Sequence, residues 1–121
     1  GIDVWRWQVG DVLAATQSWP LQASGDMAAS AQSYLDILQS RCGGDFAVKM
    51  GNTTSGGNLR WQTAEAACMG GDQSSAAGFV FVSMPGSTDM AIVTYETTPQ
   101  GMMQALAERQ ALTDAITAAH P

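Results

Sequence analysis

The stretch Gly78–Thr97 limits the fold more than any other part of the chain. Two runs rich in β-branched and aromatic residues, Gly78–Met84 and Met90–Thr97, flank Pro85-Gly86. Such runs on either side of a Pro-Gly pair predict a β-hairpin. Proline presets φ at the first corner and glycine accepts positive φ at the second, as a type II turn requires. Phe79, Val80, Phe81 and Val82 are apolar at both parities, so this strand is expected to be covered on both faces or central in its sheet.

The flanking segments supply its neighbours. Val4–Val9 alternates Trp5, Trp7 and Val9 against Val4, Arg6 and Gln8, which predicts a first strand. Gly10-Asp11 ends it or makes a bulge, with Val12–Ala15 continuing the extended chain. Thr16–Gly25, which contains Trp19-Pro20, reads as a connection, with Trp19 as a lid on the core edge. Met27–Arg41 predicts a helix capped by Ser24 or Asp26 and stopped by Gly43-Gly44. Its apolar stripe is Met27, Ala31, Tyr34, Leu35, Leu38 and Cys42. Phe46–Met50 and Leu59–Cys68 alternate as strands, joined by a turn or longer loop over Gly51–Asn58. Thr98 is a candidate cap and Pro99 suits a first helical turn, so a second helix is expected to run to about Ala119. Four consecutive strands with short links favour antiparallel pairing. The expected fold is an α+β two-layer sandwich, with about five mainly antiparallel strands and both helices on one face, in the order β-α-β-β-β-β-α.

A chain of 121 residues is one domain's worth, so 1–121 is expected to bury a single core. Charged residues make up 13%, about half the usual share, and the polarity is supplied instead by Ser, Thr, Gln, Asn and Gly, as in exported bacterial proteins. Net charge is −6, and the five cations Arg6, Arg41, Lys49, Arg60 and Arg109 are dispersed. Nucleic acid and anionic membrane both need clustered cations, so neither is an expected partner. A basic protein partner would be steered by the acidic field. No run of 18 apolar residues predicts a membrane span. The opening Gly1-Ile2-Asp3 lacks a leader, which suggests a mature exported protein or an excised domain.

Cys42 and Cys68 are the two cysteines, with 25 residues between them. They match neither a zinc pattern nor C-x-x-C. Cys42 continues the buried stripe of the first helix and Cys68 closes a strand of small residues, so a disulfide joining helix to sheet is expected. That implies a periplasmic or secreted location.

Among candidate site residues, Arg109 falls inside the apolar stripe formed by Met102, Ala105, Leu112 and Ile116. A charge there must snorkel, pair with an acid such as Glu96 or Glu65, or face a ligand. Glu65 and Glu96 are a conceivable acid–base pair on strands, although solvated glutamates are the commoner case. His120, beside the C-terminal residue of the sequence, is the only histidine and a poor general base. Gly51–Gly57 lacks the Lys-Ser/Thr of a phosphate loop. Trp5, Trp7, Trp19 and Trp61 are either core or an exposed aromatic platform. The seven methionines lack the close repetition of a copper tract. No cofactor or metal set stands out. The expected function is a non-catalytic exported module that binds another protein, with Arg109, Glu96, Trp5, Trp7 and Trp19 as candidate binding residues. The alternative is a small-ligand or glycan-binding domain using the tryptophans and Arg109. An enzyme is the third reading.

Overall fold

A computed structural model describes residues 5–21, 26–70 and 74–119. Strands β1 (Trp5–Val9) and β2 (Val12–Pro20) precede helix α1 (Met27–Arg41). Strands β3 (Asp45–Gly56), β4 (Leu59–Met69), β5 (Ser75–Ser83) and β6 (Asp89–Thr97) follow, then a 3-10 turn (Pro99–Gly101) and helix α2 (Met102–Ala119). All six strands form one antiparallel sheet in the order β1-β2-β6-β5-β4-β3. The fold is α+β, with one strand more than expected.

The β5–β6 turn has the expected chemistry. Gly86 adopts φ 79° and the Ser87 amide donates to the Met84 carbonyl at 3.1 Å, closing a type II turn around Pro85-Gly86. Both faces of this hairpin are buried. Phe79, Phe81, Met90 and Ile92 pack against Met27, Ala31 and Leu35 of α1. Val80, Val93 and Tyr95 pack with Val12, Ala14, Trp61 and Ala105 of α2. The helices therefore lie on opposite faces of the sheet, and the expected one-sided placement is corrected. The reason is the double apolar parity of β5 and β6, which a single helical layer cannot shield.

Three other expectations change. Thr16–Pro20 is strand, not connection, because β2 pairs with β6 as far as Pro20 opposite Asp89. Gly10-Asp11 is a two-residue hairpin turn joining Val9 to its partner Val12. Gly10 at φ 57°, followed by a residue at negative φ, fits type II′. The Gly51–Asn58 segment is mostly strand. After an irregularity between Met50 and Thr53, β3 resumes pairing with β4 up to Gly56 opposite Leu59. Gly51 permits that bulge. A Cβ there would lie 2.6 Å from the Thr63 hydroxyl, and the Gln62 side-chain amide donates to the Gly51 carbonyl at 2.9 Å.

The Ala29 amide donates to the Asp26 carboxylate at 3.2 Å, so Asp26 caps α1. Ser24, the other candidate cap, lies outside the described residues. Thr98 makes no side-chain cap bond; the Gly101 amide donates to its carbonyl instead. Cys42 and Cys68 are joined in a disulfide with a Cα–Cα distance of 5.8 Å. It fastens the C-terminal end of α1 to the far end of β4.

Candidate functional site

Register assigns every candidate residue to a face. Glu65 lies opposite Gly78, and Gly78 opposite Tyr95. These three share the α2 face, together with Ala14 opposite Tyr95 and Trp7 opposite Ala14. Glu96 is one residue on from Tyr95 and therefore belongs to the α1 face. Glu65 and Glu96 are thus separated by the sheet and cannot cooperate as an acid–base pair.

Arg109 lies on the α2 face. Its aliphatic stem passes over Gly78, whose missing side chain leaves 3.4 Å between a notional Cβ and Arg109 Cδ. Its Nη1 donates to the Ala64 carbonyl at 2.8 Å. The guanidinium meets main chain rather than Glu96 or Glu65, so neither acid pairs with it.

The tryptophans divide. Trp61 is core, on the α2 face. Trp19 is half-buried on the α1 face, where its ring meets Tyr34 edge-on at 5.1 Å. It does cover a core edge, but from within β2 rather than from a loop. Trp5 and Trp7 stand on the outermost strand and are 75% and 40% exposed. Trp7 rests edge-on against Tyr95 at 6.3 Å. Burial, helped by the nearby negative charge of Glu108, pushes the Tyr95 hydroxyl above its ordinary pKa.

The α1 face carries a groove that the sequence did not announce. A hollow of about 250 Å³ beside the disulfide is lined by Leu38, Phe46 and Ala77. A wider one of about 740 Å³ reaches across Leu13 and Ala15 to Arg6. The two share Tyr34, Arg41, Thr94 and Glu96. Gln17 donates to the Tyr34 hydroxyl at 2.9 Å. Burial raises the Tyr34 pKa, against the lowering effect of hydrogen bonds with Thr94 and Gln17. The one signal in the sequence was Tyr34, the single aromatic in the stripe of α1; Arg6 and Arg41 are far apart in the chain and line one hollow because the β1–β2 hairpin carries Arg6 to this face. Among the described residues no group of three or more His, Cys, Asp or Glu could hold a metal ion. His120 lies outside the described residues. No described helix is long and apolar enough to cross a membrane.

No protein-family model matches the chain, and no curated protein matches it. Among solved structures it is similar to that of "Protein of Unknown Function PA94 from Pseudomonas aeruginosa, Putative Regulator". The TM-score is 0.62 at 12% identity, covering 100% of this chain and 83% of that one. At that identity the likeness is one of fold.

Proposed function

We propose that this chain is a non-catalytic binding module for another protein, exported to the periplasm or beyond the cell, and that it engages its partner through the β1 edge. The observation that carries the reading is the exposure of Trp5 and Trp7 on the outermost strand of the sheet. Large aromatic side chains left in water on an unpaired edge are the residues that dominate protein interfaces. The Cys42–Cys68 disulfide supports an oxidising compartment.

A photo-crosslinking amino acid placed at Trp5 tests this in the native source. A discrete protein adduct from position 5, absent when the probe replaces exposed Gln39 on α1, is the expected result. No adduct from position 5, or equal adducts from both, sinks the reading. A second reading, a small-ligand domain, draws its support from the α1-face groove with Arg6 and Arg41 at its margin. A ligand held there would protect Tyr34 from iodination and leave position 5 unaffected.

A further inference from the structure

The two edges of the sheet are treated differently. β3, one outer strand, is interrupted by the irregularity between Met50 and Thr53 and carries Lys49. Bulges and lysines are the devices that keep sheet edges from pairing with other chains. β1, the other outer strand, has no bulge and no proline among its described residues, and it displays two tryptophans. α2 packs mainly over β5 and β6, and Trp5–Gln8 of β1 are exposed.

We propose that β1 pairs with β1 of a second copy of this chain, antiparallel, with Trp7 opposite Trp7 of the other copy on the two-fold axis. This rests on the reading of the β1 edge as a protein-binding surface and names its occupant. The two-residue turn makes Val9 and Val12 a hydrogen-bonded pair, so Trp7 and Trp5 also bond inward to β2. The main-chain groups of Arg6 and Gln8 then point outward, away from the sheet. A two-fold axis perpendicular to the sheet keeps faces matched, so only residues of like parity can oppose each other. Centring on Trp7 is the register that pairs the outward groups of Arg6 with those of Gln8. Each such pair exchanges both N–H···O bonds. On one face Trp7 meets its twin and Trp5 meets Val9. On the other, Arg6 lies beside Gln8, with no like charges opposed. Shifting the centre to Arg6 would place two guanidinium groups face to face.

Sedimentation equilibrium and a cysteine series test the register. The expected wild-type result is a reversible, concentration-dependent dimer. Trp7 would form a non-hydrogen-bonded pair with its twin, with Cα atoms about 4.5 Å apart, within disulfide reach. Trp7→Cys therefore gives a disulfide-linked dimer under mild oxidation. Trp5→Cys does not, because the two copies of position 5 lie about 13 Å apart along the strand. Arg6→Pro removes an outward N–H, along with the guanidinium, and no ladder bond to β2; it keeps the wild-type circular dichroism and loses the dimer. A wild type that stays monomeric up to about 1 mM, the ceiling of a weak interface, overturns the inference. So does equal cross-linking from positions 5 and 7, or an Arg6→Pro variant that still dimerises. A monomer whose position-5 probe captures a different protein would overturn the second-copy occupant and leave the edge-binding reading standing.

Discussion

At the scale of single residues, Arg109 shows how a charge enters an apolar stripe without an ion pair. Glycine at position 78 gives its stem a floor, and the Ala64 carbonyl receives its Nη1. Ala64 is interior to a strand paired on both sides, so that carbonyl keeps its ladder bond whatever happens to Arg109. Arg109→Met should therefore change unfolding free energy by about 1 kcal/mol or less, measured by urea titration. A desolvated ion pair would instead lose about 3–5 kcal/mol on removal of one partner. Tyr95 gives the pH counterpart. Its folded pKa is raised by burial and by Glu108, above the ordinary value of about 10. The unfolded chain then loses the tyrosine proton first, so the stabilising contribution is complete below about pH 10 and declines as pH rises through the folded pKa. Melting temperature should fall as pH rises above about 10 in the wild type and less steeply in Tyr95→Phe. A Tyr95→Phe variant with an unchanged slope would leave Tyr34, also raised by burial, as the responsible group.

Among the elements, α1 depends most on a covalent tie. Its buried contacts come from Met27, Ala31 and Leu35, with Leu38 half-buried beyond them, while its last three residues, 39–41, are exposed. The Cys42–Cys68 bond supplies the hold at that end, closing a separation of 26 residues. In the chain-entropy account this is worth about 3.5 kcal/mol. A Cys42→Ala/Cys68→Ala double variant should lose roughly that amount, with the loss of amide-exchange protection concentrated in Leu38–Arg41. A uniform loss across the sheet would show that the disulfide acts on the unfolded chain alone. β2 shows why some elements were illegible. Gln17, Ser18 and Pro20 break the apolar alternation, so Thr16–Pro20 carries no strand signal. Its strand character comes from β6, which offers a full row of partners from Ile92 to Asp89. Pro20 is admitted because its missing N–H faces away from β6, where no ladder bond is lost. The second half of β3 is similar: Asn52, Thr53, Thr54 and Ser55 have loop composition, yet they extend because β4 turns tightly back beside them.

For the molecule as a whole, the layering was already present in four residues. Phe79–Val82 demand cover on two faces, and that demand places α1 and α2 on opposite sides. What strand counting could not supply was the side taken by each helix, since a connection such as Asp26 or Thr98 reaches either face with equal ease. The candidate site suffered in the same way: Arg109 and Glu96 are close in sequence pattern, but the sheet stands between them. Of the two options the sequence left open for Trp5 and Trp7, the structure shows exposure. The two-sided core makes a prediction that separates neighbouring valines. Val80 is fully buried among Val12, Trp61, Val93 and Ala105, whereas Val82 is half-buried near the end of β5. Aspartate at position 80 leaves a carboxylate with no donor in an apolar cluster, a cost above about 4 kcal/mol that consumes most of a small domain's stability. Aspartate at position 82 can turn toward water and should cost about 1–2 kcal/mol. Val80→Asp should lose its near-ultraviolet dichroism and amide dispersion, while Val82→Asp stays folded with a lower denaturation midpoint. A folded Val80→Asp would mean that α2 does not seal its face of the sheet, and the three-layer arrangement would fall with it.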